Sequence, residues 1–274
     1  MPMKLLFCDL DGTLIARGKG FSEDNLDMLQ KLRAEGIILV LASGRSPYSM
    51  SKVITPDMPF HYAIFSTGVG IMDWPSQKIL LQRELSENQV QTALEILEHE
   101  KIDIMVQAPL PKNHFFQYRQ FSSEAESNTD FCRRIRLYQA CCQPMPPGRW
   151  RGTASQLLAI LTPEDPRYHK ILPQLSEFSV IRATSPLDGS SIWLEIFAPG
   201  VNKASAAKWL SNTLPSPIIT YALGNDHNDL DLLAWAQNSL IAADAPQELQ
   251  QQFQVLQAIP ECFLRQAAEI WQLG

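Results

Sequence analysis

The sequence predicts an α/β fold, a parallel-sheet core interrupted by a large insert of its own strands and helices, and three observations predict it. Short apolar runs alternate with helix-patterned segments near both ends of the chain, as in strand–helix–strand units. Four of these runs end in polar turns, and open parallel sheets bind ligands at the carboxyl ends of their strands. From about residue 84 to 189 the texture changes to mixed strands and helices with their own apolar positions.

The first run, 5–8, is continuously apolar, as a strand covered on both faces must be. It delivers Asp9 and Asp11 to its carboxyl end, where Gly12 permits a sharp exit. A helix is expected over 22–35: Ser22 can cap it, Glu23 and Asp24 favour its positive end, and Leu26, Leu29 and Leu32 share a face. Gly36 stops it. A second run, 37–42, ends at Ser43-Gly44-Arg45, and a third, 62–65, ends at Ser66-Thr67-Gly68. Strand, helix and strand in this order imply parallel strands with right-handed crossovers.

Within the insert, Ser86 and Gln89 have capping-box spacing ahead of Val90, Ala93, Leu94 and Leu97, which predicts a helix. Strands are expected at 102–107, 114–118, 156–161 and 180–184, a helix at 168–178, and little pattern over 122–152, which holds Pro144, Pro146 and Pro147. The parallel pattern is expected to resume at 192–197, followed by a helix at 203–210, a strand at 218–223, the turn Gly224-Asn225-Asp226-His227-Asn228-Asp229, a helix at 230–235 and a last strand at 239–242. The expected division is a core of 1–83 and 190–274 around an insert of 84–189.

The 274 residues are 45% hydrophobic and 19% charged, a globular composition with enough chain for a substantial core. A net charge of −6 without a long basic run argues against nucleic-acid binding. No apolar stretch reaches the roughly 18 residues of a membrane span, and Asp9 and Asp11 interrupt any secretory apolar region, so a soluble cytoplasmic protein is expected. Five cysteines, Cys8, Cys132, Cys141, Cys142 and Cys262, form neither an even disulfide set nor a Cys-x-x-Cys pattern, which fits reduced, structural thiols.

Asp9 and Asp11 carry the chemical reading. A carboxylate held at a strand end can attack phosphorus while its neighbour gives and takes protons; the same residues also read as an ordinary polar turn. Asp9-Leu10-Asp11-Gly12-Thr13, Ser43-Gly44-Arg45, Lys203 and Gly224-Asn225-Asp226-His227-Asn228-Asp229, in this order, resemble the four motifs of the haloacid dehalogenase superfamily. The insert between the second and third motifs, and the stretch from Pro199 to Ala206, look like the Cof-type subfamily IIB.

The resemblance implies a Rossmann-like parallel-sheet core with an inserted α/β cap, and a magnesium-dependent phosphatase working through a phospho-aspartate. Asp9 would be the nucleophile and Asp11 the acid and base, with Thr13 after Asp11 favouring a phosphatase over a dehalogenase. Mg2+ would be held by Asp9, the Asp11 carbonyl, Asn225 and Asp229. Ser43, Lys203 and Asn228 would contact the phosphoryl group, joined by Thr13, Gly12 and Gly44, since the amides of Leu10, Gly12 and Gly44 can form an anion-binding nest. Arg45 can touch the substrate or pair with an acid. Asn225 departs from the family pattern, Gly-Asp-x-x-Asn-Asp, by standing where its first aspartate lies; Asp226 is an alternative ligand, and His227 reads as a loop residue.

The cap holds His114, Arg119, Arg133, Arg134, Arg136, Arg149, Arg151 and Arg167, which would suit a small phosphorylated metabolite such as a sugar phosphate, although arginines decorate many surfaces. Trp150, between two arginines, can stack on a substrate ring or serve a core or hinge. Two other functions remain open: a phosphate-ligand binding or regulatory module weakened at Asn225, and a phosphotransferase or mutase.

Overall fold

A computed structural model describes residues 2–16, 19–122, 129–185, 187 and 189–273. The chain forms two compact units, Met1–Gln82 with Asn202–Gly274, and Arg83–Val201. The strands are β1 (Met3–Cys8), β2 (Ile38–Ala42), β3 (Tyr62–Phe65), β4 (Gly70–Asp73), β5 (Lys78–Gln82), β6 (Ile104–Gln107), β7 (Phe116–Arg119), β8 (Cys142–Pro144), β9 (Gln156–Leu161), β10 (Ser179–Thr184), β11 (Ile192–Phe197), β12 (Ile218–Gly224), β13 (Asn238–Ala242) and β14 (Val255–Leu256).

The first unit is built on an eight-stranded sheet in the order β14-β13-β12-β1-β2-β3-β4-β5. Pairing is parallel from β14 to β3. β4 and β5 extend the edge as an antiparallel hairpin. The central strand β1 buries Leu5, Leu6, Phe7 and Cys8 as its apolar run requires. Its register aligns the strand ends: Cys8 stands opposite Leu41 of β2 and Leu223 of β12. Asp9, Ala42 and Gly224 therefore leave the sheet side by side. The helix Glu23–Ala34 forms as expected, with the Ser22 side chain accepting from the Asn25 N–H, and the chain turns at Gly36 with φ of 80°.

The second unit holds a six-stranded sheet ordered β10-β11-β9-β6-β7-β8. One face packs Val106, Leu157, Ala159, Leu194 and Ile196 with Val90, Leu94 and Leu97 of the helix Glu87–His99. The other packs Met105, Leu158, Ile160 and Trp193 with Phe131 of the helix Thr129–Leu137.

This corrects one expectation. β11 does not resume the parallel sheet; it pairs antiparallel with both β9 and β10, so the core segment begins at Asn202 instead of 190. The reason is coverage: with helices on both faces, all six residues of β11 are buried, and the run looks the same as a parallel core strand. The stretch 122–152 also contains structure, the helix Thr129–Leu137 and β8; its residues 123–128 lie outside the described set. No described helix is long and apolar enough to cross a membrane.

Candidate active site

Asp9 is fixed where β1 ends, its backbone N–H donating to the Leu223 carbonyl at 3.0 Å. The turn after it closes tightly: Leu14 and Ile15 N–H donate to the Leu10 carbonyl, Gly12 N–H to that of Ile15, and Gly12 takes φ of 85°. Thr13 is buried here with its hydroxyl oxygen lacking a hydrogen-bond partner. Cys8, one residue before Asp9, is fully buried, and burial together with the Asp9 charge pushes its thiol far up.

Lys203 is the first residue of the helix Lys203–Thr213, whose start is fixed by a reciprocal cap between Asn202 and Ser205. A lysine there is ordinarily solvated, yet this one is 0% exposed. Its Nζ donates to Asp9 Oδ1 at 2.7 Å and to Asp229 Oδ1 at 2.6 Å. Burial alone would lower Lys203, but Asp229 and Asp9 hold it well above the ordinary lysine value. Burial and the nearby Asp229 push the Asp9 carboxyl up to about 7 against the pull of Lys203. Two buried carboxylates share one ammonium, so the trio carries an uncompensated negative charge, which a dry site tolerates poorly.

Ser43 leaves β2 buried, its N–H bonded to the Ile64 carbonyl at 2.9 Å. Its Oγ accepts from the Arg45 N–H at 3.1 Å, which leaves the hydroxyl proton for a ligand. Arg45 sits on Asp11: Nε donates to Oδ2 at 2.6 Å and Nη2 to Oδ1 at 2.7 Å, a bidentate fork. Nη1 is steadied by Ser49. Of the two roles open to Arg45, pairing with an acid is the one observed, and that acid belongs to the site.

The loop after β12 brings the last group in. A Cβ on Gly12 would lie 2.1 Å from Asn225 Nδ2, so the Asn225 side chain lies directly on the Asp9–Thr13 turn. Asn228 Nδ2 reaches Gly44, 3.5 Å from where a Cβ would stand. Asp229, expected among the metal ligands, is engaged otherwise: Oδ1 holds Lys203, and Oδ2 accepts from the N–H groups of Asn225 and Asp226. The short loop folds back so that the carboxylate caps its own backbone, which the spacing in sequence does not reveal. The Asp226 side chain caps the same turn. His227 pairs with the Glu248 carboxylate at 3.3 Å.

In the sequence, Ser66-Thr67-Gly68 reads only as a strand end. These residues adjoin the site: Thr67 N–H donates to the Ser43 carbonyl, and Thr67 Oγ1 stands beside Gly44. The small side chains at the end of β3 were the available signal. In the second unit the arginines are largely engaged. Arg119 pairs with Glu98, Arg151 with Glu87 and Arg167 with Asp165. Arg134 lies over the rings of Phe116, Tyr138 and Trp193. Trp150 packs on that unit's core and donates its indole N–H to the Gly152 carbonyl.

The sequence profile of the haloacid dehalogenase-like hydrolases matches residues 6–257. The chain belongs to this family. It is 23% identical over 255 residues to YkrA of Bacillus subtilis, provisionally named a phosphatase, covering 92% of this chain and 90% of the relative. Among solved structures, BT1666 from Bacteroides thetaiotaomicron, treated among haloacid dehalogenase phosphatases, superposes with a TM-score of 0.79 at 16% identity over 100% of this chain and 96% of that one. The subclass IIB sugar phosphatase BT4131 superposes with a TM-score of 0.77 at 15% identity over 99% and 100%. These haloacid dehalogenase-like hydrolases thus share the fold of both units of this chain.

Proposed function

We propose that this chain is a phosphatase that hydrolyses a small phosphorylated metabolite, a sugar phosphate in the first instance, through a phospho-aspartate on Asp9. One observation carries the reading: Asp9 is held at the buried end of the central strand by Lys203, with Asp11 two residues on. The sugar class is supported by the fold shared with BT4131.

Among the described residues no three His, Cys, Asp or Glu side chains are arranged to hold a metal ion by themselves. Magnesium does not need such a cage, since it commonly takes one or two carboxylates and completes its shell with water and phosphate oxygens. The two carboxylates that share Lys203 and the amide of Asn225 laid over the Asp9–Thr13 turn suit it. Asp9, the Asp11 backbone carbonyl and Asn225 would hold it. When bound, it would offset the charge repulsion between a carboxylate and a phosphate.

The protein groups supply the remaining steps. The Asp9 carboxylate attacks phosphorus in line with the leaving oxygen, and Lys203 and the Ser43 hydroxyl steady the charge on the phosphoryl oxygens. Asp11 gives a proton to the leaving oxygen as the bond to phosphorus breaks. It then takes one from the water that attacks the aspartyl phosphate, regenerating Asp9. Arg45 aims the Asp11 carboxylate, giving up one of its two bonds while Asp11 carries the proton.

The test is phosphate release from an aryl phosphate with magnesium, expected to vanish on chelation and in Asp9→Asn; hydrolysis surviving that substitution overturns the mechanism. Asn225 supports a second reading, a ligand-binding module without turnover. That reading expects phosphate-ester binding without hydrolysis in the natural chain and hydrolysis gained in Asn225→Asp.

A further inference from the structure

Leaving β3, the backbone takes three successive left-handed residues: Ser66 at φ 47°, Thr67 at 56° and Gly68 at 106°. For a β-branched residue such as Thr67 this conformation is a genuine outlier. Both Ser66 and Thr67 are buried. Strain of this kind persists only where the surroundings over-determine it, and the surroundings here are two parts of the phosphate site. Thr67 N–H donates to the Ser43 carbonyl at 3.1 Å and Ser66 N–H to the Arg45 carbonyl at 2.9 Å, clasping that turn at both ends. Thr67 Oγ1 stands 3.4 Å from the place a Gly44 Cβ would take, and Asn228 Nδ2 stands 3.5 Å from that same place. On the opposite side, a Cβ on Gly68 would lie 2.3 Å from the Asn202 carbonyl oxygen, immediately before Lys203.

We propose that Thr67 is a positioning residue for phosphate binding: its hydroxyl sets the Gly44 turn and the Asn228 amide, while the left-handed run locks that turn against the start of the Lys203 helix. The inference rests on the phosphate-site reading above. If Thr67 served only to fill space, its shape would matter and its hydroxyl would not.

Two substitutions separate these roles. Thr67→Ser keeps the hydroxyl and eases the strained backbone by removing the branch; Thr67→Val keeps the branched shape and loses the hydroxyl. Titration calorimetry of the full chain with inorganic phosphate, magnesium present, is expected to give Thr67→Ser within about 3-fold of the natural affinity and Thr67→Val weaker by about 10-fold or more. Equal affinities in the two variants, or the reverse order, overturn the proposal. If Thr67→Val does not fold, Thr67→Ala is the hydroxyl-free comparison, and phosphate binding equal to that of Thr67→Ser overturns it. A natural chain that binds phosphate but hydrolyses no ester overturns the phosphatase reading alone, whereas one that binds no phosphate overturns both.

Discussion

Lys203 decides the electrostatics of the site, because a single buried ammonium serves both Asp9 and Asp229. Removing it in Lys203→Met leaves two uncompensated carboxylates in a dry setting, so a stability loss of about 3–5 kcal/mol is expected in urea unfolding. Phosphatase turnover in that variant falls by about 10² to 10³. Arg45 makes a different prediction. Since its fork grips Asp11, Arg45→Ala should slow hydrolysis of alkyl phosphates, whose leaving oxygen needs a proton, far more than that of activated aryl phosphates. Equal slowing of the two would show that Asp11 orientation is not its role. Asp9, Ser43 and Lys203 stand out in the sequence as candidates because each is a distinctive residue at the end or start of a legible element. The partners of Arg45 and Asp229 were not, because they depend on where a side chain points across a turn.

At the level of elements, the helix Lys203–Thr213 couples stability to the site. Asn202 caps it through the Ser205 N–H and also reaches Asp231, so it fixes both the helix start and the following loop's helix. Asn202→Ala should cost about 1 kcal/mol of stability. Turnover should fall as well, since Lys203 is the next residue, and denaturant melts read beside steady-state rates check both. Helices with caps and apolar faces were legible from the chain. The helix Thr129–Leu137 was not, because its apolar stripe is short, Phe131 and Ile135 leading to Tyr138, and Arg134 beside it reads as a solvated charge although it lies over aromatic rings. The edge hairpin β4–β5 was missed for a related reason: β5 alternates between exposed and half-buried residues and lacks a continuous apolar run.

For the molecule as a whole, the acidic groups gathered at the strand ends would tie folding and pH to the proposed metal. The Asp9 carboxyl is held up to about 7 in the folded chain, against about 3.9 in an unfolded one. Protons therefore favour the folded state at this residue. Its contribution is full below about pH 4 and is lost as pH rises to about 7, at up to about 1.4 kcal/mol per unit. A bound cation needs the carboxylate, so apparent magnesium affinity should rise with pH up to about 7 and level off above it, which calorimetry across pH 5 to 8 would reveal. Magnesium at 100 times its Kd should stabilise the chain by about 2.7 kcal/mol, and Asn225→Asp should tighten that binding.

The thiol beside the nucleophile has a consequence of its own. Cys8 immediately precedes Asp9, yet burial keeps it in the protonated form, which peroxide and alkylating agents attack poorly. Carboxylates have no place on the oxidation ladder that thiolate nucleophiles climb. On the proposed mechanism the reacting group is one that oxidants leave alone, while its sulfur neighbour is shielded. Its hydrolysis should persist through peroxide exposure that silences enzymes built on a reactive cysteine.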